Sequence, residues 1–394
     1  MRSLLLRRVA RTSAGATVAA AACVGLARRA AAQGSLSGQG YGYPPGELST
    51  RALGTGGGLA EFDPVSPINP ASIALYGRTA FAFQYDPEFR TTTVGSATAH
   101  NTIARFPLVA IGVPFHQRFT FAFSASTFLD RSFTTTYQSS TSIGGTSVID
   151  TTTAESRGSI SDLRLGGSAF VARWLQVGVA VHRLTGNNRL VSGRRFVDTT
   201  NFGSISDSST LSFTGSAVSA GAIVTPVRGL SVAGSARRGA SMRAEFNDTI
   251  VGRGTVPDRY GVGLRFDRIT GATIAASYAR TGWSSMRGLG SADLDARDTH
   301  ELMGGIEAVG PSVGAAPVIL RLGARNRTLP FAIDGAQIRE TAFSGGLGLP
   351  LGGGRALGDL TLQHASRTPI QSTSALNNVS ERAWTLSIGF TLRP

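Results

Sequence analysis

Ionisable residues recur at alternate positions in two neighbouring stretches of this sequence. Glu301 and Glu307 share one parity in the stretch HELMGGIEA. Arg321 and Arg325 do the same in the stretch VILRLGAR. Residues of one parity lie on one face of a β-strand, so two adjacent antiparallel strands would place two acids beside two arginines. The simpler interpretation is a ladder of ion pairs. The alternative interpretation is that an unpaired arginine, Arg321 or Arg265, binds the carboxylate of a small molecule, because a guanidinium fork matches a carboxylate.

Other residue types that carry chemistry form no such pattern. The five histidines are scattered without the spacing of a metal site, so no metal ligands and no cofactor are predicted. His300 beside Asp298 is a pair within a polar stretch rather than a Ser/His/Asp set, so no catalytic residues and no enzyme are predicted. The GTGGG stretch at 54–58 lacks the Lys-Ser/Thr of a phosphate loop and is interpreted as flexible backbone. Because the arginines are dispersed, nucleic-acid binding is not predicted.

The first 32 residues are typical of an export signal. Basic residues precede the apolar stretch AGATVAAAACVGLA, and a small-residue AAA site follows it. We therefore predict a signal peptide over 1–32, cleaved before Gln33. Twin-arginine export through Arg7-Arg8 and lipidation at Cys23 are the alternatives. Since Cys23 is the one cysteine of the chain, the cleaved protein would have no disulfide.

Alternation with period two dominates the rest of the chain. In WTLSIGFTL the large apolar residues fall on one face, and Thr, Ser and Gly fall on the other. FTFAFSAS, LQVGVAVH and YGVGLRF repeat this pattern. The second face holds mostly Gly, Ala, Ser and Thr with an occasional arginine, which suits a narrow lumen better than bulk water. Only 16% of the residues are charged, against about 25% in soluble domains. Strands that face lipid explain both features.

The connections between strands support a barrel. Candidate strands begin near residues 79, 103, 118, 162, 175, 211, 229, 258, 272, 299, 317, 340, 358 and 382. Short links (HQ, RW, PVRG, RITG, GPSVGAA and GGGRA) alternate with long polar stretches at 131–161, 185–210, 240–256 and 367–380, which we predict to be loops. Long loops on one side are typical of outer-membrane barrels, and an even count closes the sheet without free edges. The predicted fold class is all-β, a closed antiparallel transmembrane β-barrel of about fourteen strands over 78–394.

The segment 33–77 precedes the first strand and contains DPVSPINPASIALYG. Three prolines within seven residues prevent it from being a strand. A free tail would not need Phe62 and Ile73 in so short a span. We predict that 33–77 is an N-terminal hatch, or plug, folded into the lumen.

The motif Asn69-Pro70-Ala71 ahead of the first strand is similar to the NPA of the FadL/TodX family of outer-membrane transporters for hydrophobic compounds. VPDRYGVGLRF, ASYARTGWSSM, ILRLGARNRTLPF and SGGLGLPLG follow in family order, so the likeness covers essentially the whole chain after the signal. The resemblance implies a fourteen-stranded barrel, a hatch that blocks the lumen, and passive uptake with lateral exit beside an inward-kinked third strand. The third strand here, 118–129, contains no Gly or Pro to make that kink.

The resulting prediction is an outer-membrane channel for passive uptake of hydrophobic small molecules such as long-chain fatty acids or hydrocarbons. Its predicted partners are outer-membrane lipid, lipopolysaccharide and the hydrophobic ligand, and it is predicted to be a monomer. A general porin would lack a hatch. A PorV-like protein of the FadL fold, acting as a secretion or protein-interaction component, is the alternative. The predicted hatch residues are Phe62, Asn69, Pro70, Ala71 and Ile73, and the predicted channel residues are Arg265, Glu301, Glu307, Arg321 and Arg325.

Overall fold

The computed structural model describes residues 42–394 except 96, 117, 144–145, 199, 290–294, 314–315, 334 and 371–378. The predicted signal peptide and residues 33–41 of the predicted hatch lie outside the described residues. The strands are β1 Ala80–Val94, β2 Ala97–Phe115, β3 Phe119–Asp130, β4 Phe133–Ile143, β5 Thr146–Ala172, β6 Leu175–Phe196, β7 Ile205–Val227, β8 Leu230–Phe246, β9 Thr249–Thr255, β10 Arg259–Ile269, β11 Ala272–Thr281, β12 Thr299–Val313, β13 Ala316–Ile333, β14 Ala336–Leu351, β15 Ala356–Pro369 and β16 Val379–Leu392. The helices are α1 Thr50–Gly54 and the 3₁₀ helices η1 Pro70–Tyr76, η2 Trp283–Leu289 and η3 Gly352–Gly354.

Fourteen of these strands form one closed antiparallel ring. Each pairs with its neighbour along the chain, except that β4 and β9 lie off the ring and pair on β5 and β8. The ring closes where β8 pairs with β10 and where β1 pairs with β16, with Phe81 opposite Leu392. The prediction of a closed antiparallel barrel of about fourteen strands is confirmed.

Large apolar side chains lie on the outer face of the strands and small or polar side chains on the inner face, as the alternation predicts. On β3, Phe119, Phe121 and Phe123 point outward with 44 to 52% of their surface exposed, while Thr120 and Ser124 point into the barrel and are buried. A continuous outer surface of large apolar side chains is unfavourable in water and favourable in lipid. Among the described residues, no helix combines the length and the apolar character needed to cross a bilayer.

The long polar stretches are strands and not the loops that we predicted. Strand β5 is 27 residues long and pairs with β6, and both β6 and its other partner β7 extend into 185–210. Cross-strand pairing there, for example Thr152 with Arg194, provides partners for the backbone N–H and C=O groups. Both faces of these extensions are polar, so the sequence carries no apolar period that would reveal them. The 240–256 stretch is likewise strand for most of its length, whereas most of 367–380 lies outside the described residues.

The third strand turns inward near its end, although it lacks Gly and Pro. Its pairing with β5 shifts at a bulge between Thr127 and Leu129, and the consecutive residues Phe128 and Leu129 are both buried. Asp130 then exchanges two backbone hydrogen bonds with Tyr43 inside the barrel, with N···O distances of 2.7 and 2.9 Å. A bulge bends a strand without any special residue, which is why the composition of this strand did not reveal the kink.

The inward turn leaves a gap in the hydrogen bonding of the wall. The pairing of β2 with β3 covers Leu108 to Phe115, and within the described structure the first part of β2 pairs with β1 alone. An ion pair crosses this gap, because Arg105 Nε donates to the carboxylate of Asp130 over 2.7 Å. We call the region the β2–β3 gap.

Residues 42–77 lie inside the ring. Helix α1 packs against β13 to β16, and η1 packs against β2, β3, β5, β6 and β7. The segment thus follows the inner wall around the barrel before the chain enters β1 at Ala80. That residues 33–77 form a hatch, and where that domain begins and ends, stays a prediction.

Glycines on the inner wall make this packing possible. A Cβ atom added at any of eight wall glycines would come closer than 3.0 Å to residues 42–77, so the segment occupies the space that side chains would need. We call these residues the glycine belt: Gly112, Gly166, Gly178, Gly221, Gly261, Gly305, Gly323 and Gly389. The small residues that we assigned to a narrow lumen therefore face the N-terminal segment.

We predict that Gly178→Val displaces residues 42–77, because its side chain would collide with the backbone of Pro70. Trypsin should then cleave after Arg51 faster than in the wild type, and conductance in planar bilayers should rise. Gly234→Val is the matched control, since a Cβ atom there meets its nearest neighbour at 4.0 Å. Equal cleavage and equal conductance in both variants would contradict the role given to the glycine belt.

Candidate functional site

A cavity of about 290 Å³ lies at the end of the barrel where β1 begins and β16 ends. Its wall combines apolar groups such as Leu357 and Phe390 with the ionisable residues of α1 and the nearby strands. The ionisable residues among its lining are Arg51, Asp63, Glu307, Arg321, Asp359 and Arg393. The cavity therefore combines an apolar wall with charged groups at this end of the lumen.

Two of the predicted channel residues meet in this cavity. Arg321 donates to Glu307 over 2.7 Å and to Asp359 over 2.5 Å, and its side chain is fully buried. Glu307 also accepts two hydrogen bonds from Arg51 of α1, at 2.7 and 2.9 Å. These contacts anchor the N-terminal segment to β12 and β13. Arg321 is thus held between acids.

The other predicted channel residues lie apart from this cavity. Arg325 contacts Glu301 at 3.5 Å and Glu340 at 3.2 Å. Arg265 is partly exposed, contacts Asp267 at 3.2 Å, and lies over the ring of Phe62 at 5.1 Å. Neither Arg265 nor Arg321 is without an acidic partner, so this geometry favours the ion-pair ladder over the carboxylate role proposed for them.

The predicted hatch residues cluster around the start of η1. Asn69 caps this helix, because its Oδ1 accepts from the N–H of Ala71 over 2.9 Å, and its Nδ2 donates to the carbonyl of Glu61 over 3.0 Å. Pro70 occupies the first turn, where its missing N–H costs nothing. Phe62 and Ile73 are buried against the wall in two different apolar clusters.

Tyr43 forms the centre of a buried charge network that the sequence analysis did not identify. Four guanidinium groups lie 4.4 to 5.4 Å from the centroid of its ring, those of Arg90, Arg105, Arg327 and Arg367. The hydroxyl donates to Glu340 over 2.8 Å and accepts from two of these arginines. Glu88, Asp130, Glu340 and Glu381 surround the arginines and balance their charge. The network fixes the start of the described segment to seven strands, β1, β2, β3 and β13 to β16.

Arg164 on β5 differs from the other buried arginines. Seven others in the described structure have an acidic partner, namely Arg90, Arg105, Arg237, Arg321, Arg325, Arg327 and Arg367. Nε and Nη2 of Arg164 have no hydrogen-bond partner there, and neither does the nearby hydroxyl of Tyr76. Both side chains line a cavity of about 10 Å³ between η1 and the wall, which is room for about one water or one ligand oxygen.

A polar layer next to Arg164 joins the wall to the N-terminal segment. Arg237 donates to Glu47 over 3.2 Å, and Asp162, His182 and Ser219 extend the layer across β5, β6 and β7. An apolar cluster covers this layer on the side of the long hairpins: Phe128, Leu129, Ile160, Leu184, Phe213, Ala217, Met242, Ala244, Val256, Trp283, Met286 and Ala296. We call this set the lumen apolar cluster. Strand parity alone could have predicted that Asp162 and His182 face the lumen. It could not have predicted that the two side chains are in contact.

No protein-family model and no curated protein sequence matches this chain. Solved structures are similar in fold. A FadL homologue from Pseudomonas aeruginosa matches with a TM-score of 0.60 at 12% identity, covering 89% of this chain and 99% of the homologue. CymD, a monoaromatic hydrocarbon channel, has a TM-score of 0.55 at 12% identity, covering 88% of this chain and 97% of CymD. TbuX, the toluene transporter of Ralstonia pickettii, has a TM-score of 0.53 at 15% identity, covering 88% of this chain and 98% of TbuX.

This chain has the FadL/TodX fold. The resemblance found in the sequence is confirmed at the level of that fold, and the structures named above are transport channels or a FadL homologue rather than enzymes. Among the residues described for this FadL/TodX barrel, no group of three or more His, Cys, Asp and Glu side chains could hold a metal ion.

We predict that Glu340→Gln destabilises the barrel strongly, because three buried arginines would each lose one of their acidic partners. Removing one partner of a buried ion pair costs about 3 to 5 kcal/mol. Glu155→Gln is the matched control: its partner Arg157 is exposed, so its effect should stay below about 1 kcal/mol. Urea unfolding in detergent micelles, followed by tryptophan fluorescence, measures both free energies. Similar losses in the two variants would show that the network around Tyr43 contributes no more than a surface pair.

Proposed function

We propose that this protein is an outer-membrane channel for passive uptake of hydrophobic small molecules. The observation that carries the proposal is the combination of a filled lumen with a β2–β3 gap in the wall. A channel for polar solutes needs an open aqueous lumen, whereas a hydrophobic solute can leave through the wall into lipid. The names of the similar structures, a monoaromatic hydrocarbon channel and a toluene transporter, agree with this class of solute. An exported chain with a cleaved signal peptide, acting as a monomer in lipid and lipopolysaccharide, completes the proposal.

The lumen apolar cluster is the proposed path for the solute. Phe128 and Leu129 belong both to this cluster and to the inward turn of β3 at the β2–β3 gap. Phe128 stacks on Trp283 of η2, with ring centroids 5.3 Å apart. An apolar molecule in this cluster would therefore lie between aromatic rings and beside an exit to the membrane.

Arg164 is the proposed contact for an acidic headgroup. Burying an unpaired guanidinium is costly, so a carboxylate oxygen in the small cavity beside Arg164 and Tyr76 would gain two charge-assisted hydrogen bonds. Arg164 replaces Arg265 and Arg321 in this role, because each of those arginines has an acidic partner. A fatty acid would use this contact, and a hydrocarbon would not.

Uptake into lipid vesicles tests the proposed function. Vesicles containing the folded protein should take up labelled oleate and labelled hexadecane faster than protein-free vesicles. A PorV-like interaction protein would give no increase for either compound, and that result would reject the channel proposal.

We predict that Arg164→Gln lowers oleate uptake by at least about tenfold, the equivalent of one lost charge-assisted hydrogen bond. Hexadecane uptake should stay within about twofold of the wild type in the same vesicles. Arg321→Gln is the comparison variant, and it should not discriminate between the two compounds. Equal losses of oleate and hexadecane uptake in Arg164→Gln would contradict the proposal that Arg164 binds the headgroup. The channel proposal would not be affected.

We predict that a bulky group at the β2–β3 gap blocks uptake of both compounds. Phe106 lies on β2 at the gap with 64% of its surface exposed, and Phe343 lies on β14, four strands away around the ring, with 63% exposed. Each position would be changed to cysteine in the chain without its predicted signal, biotinylated by maleimide and loaded with streptavidin. Only the group at position 106 should stop uptake. Unchanged uptake with streptavidin at 106 would mean that the solute leaves by another route.

A further inference from the structure

Three side chains in the lumen are joined by two hydrogen bonds across three consecutive strands of the ring. His182 on β6 lies between Asp162 on β5 and Ser219 on β7. Its Nδ1 is 2.7 Å from Oδ2 of Asp162, and its Nε2 is 2.8 Å from Oγ of Ser219. An ionised carboxylate can only accept, so Nδ1 carries the proton, and in the neutral imidazole Nε2 accepts from the serine hydroxyl. This order of carboxylate, imidazole and hydroxyl is that of a serine nucleophile with its general base.

The sheet holds these three groups rigidly. Asp162 pairs with Leu184, two residues beyond His182 on β6, and Ser219 pairs with Ala180, two residues before it. Both partners of His182 are therefore diagonal neighbours, at a separation that an imidazole can bridge. The exposed fraction is 0% for Asp162, 4% for His182 and 6% for Ser219, so bulk water is excluded from the chain.

Unpartnered donors lie on both sides of the serine and the histidine. Arg237 is directly opposite Ser219 in the register, and Arg164 is directly opposite His182. Nε of Arg237, and Nε and Nη2 of Arg164, have no hydrogen-bond partner in the described structure. A chain with a structural role alone would need only its own two hydrogen bonds. Donors without acceptors beside a nucleophile are suited to the negative charge of a tetrahedral intermediate.

Apolar side chains adjoin the same three residues. Leu184 and Ala217 lie two residues from His182 and from Ser219 on their strands, and both belong to the lumen apolar cluster. The hydrocarbon part of a substrate would occupy this cluster while its polar group faces Ser219. The fitting substrate is an uncharged ester with an apolar acyl or aryl group.

We propose that the lumen contains an esterase site in which Ser219 is the nucleophile, His182 is the general base and Asp162 is a positioning residue. Oγ of Ser219 attacks the ester carbonyl while its proton passes to Nε2 of His182. The tetrahedral intermediate collapses, the C–O bond to the alcohol breaks, and the alcohol leaves with the proton from His182. Water then attacks the acyl-serine with the same base, which releases the carboxylic acid and restores Ser219. Arg237 stabilises the oxyanion in both steps.

The folded full-length protein in detergent micelles tests this activity with p-nitrophenyl acetate and p-nitrophenyl octanoate. Wild type should release p-nitrophenol above the protein-free rate. Ser219→Ala and His182→Gln should each lose at least about 100-fold of the enzymatic rate. Ser231→Ala is the matched control, since Ser231 is a buried lumen serine outside the chain of hydrogen bonds, and it should keep the wild-type rate.

A fluorophosphonate probe gives a readout that does not depend on the folding of the variants. It should label the folded wild type at Ser219, as identified by peptide mass, and it should not label the urea-denatured wild type. Absence of labelling together with hydrolysis at the protein-free rate would overturn the esterase site. Labelling at another serine would overturn the assignment to Ser219. Either result leaves the vesicle uptake assay unaffected, so the two proposals fail separately.

Discussion

Contact between the backbone of residues 42–77 and the glycine belt is the constraint on which the rest of the interior depends. The segment has little regular structure, so its N–H and C=O groups need partners that a helix or sheet would otherwise provide. The wall provides some of them: Ser277 donates to the carbonyl of Gly58 over 2.8 Å, and Thr361 donates to that of Thr50 over 2.9 Å. Such hydrogen bonds require the two backbones to approach closely, and the glycine belt allows this approach. The polar layer and the lumen apolar cluster then occupy the space that the segment leaves.

The charged side chains in the lumen also need partners on the surrounding strands. A buried guanidinium is tolerated when an acid compensates its charge, and the arginines around Tyr43 have such acids on neighbouring strands. The network is close to neutral as a whole, so it presents no net attraction to an ion that approaches from the hairpin side. Arg164 interrupts this rule because its charge is not compensated by direct contact. An uncompensated group in an otherwise balanced interior is more informative about ligands than any of the paired ones.

The sequence alone predicted the class, the closure and the strand count of the barrel, because each depends on a period-two pattern that lipid imposes locally. The hatch over 33–77, which we inferred from its prolines and apolar residues, stays a prediction. The sequence alone did not predict the hairpin extensions of β5, β6 and β7, since their two faces are equally polar. Arg321 was placed correctly on the inner face. Its partner Asp359 lies on β15, two strands away, and the position of Asp359 depends on the closed ring. The relation between Asp162, His182 and Ser219 likewise exists only once three strands are in register.

Ring closure between β1 and β16 has a consequence for assembly. Phe81 pairs with Leu392, so the contact that completes the cylinder joins almost the two ends of the described chain. A contact of such high sequence separation forms late, because the entropy of closing so long a loop must be met before the contact stabilises anything. Most of residues 42–76 are buried in the cylinder, and a segment that already lies against the open sheet when the last strand arrives avoids having to enter a closed ring. The sheet would then close around the N-terminal segment. The spacing of the wall glycines would set the curvature at which β1 and β16 meet.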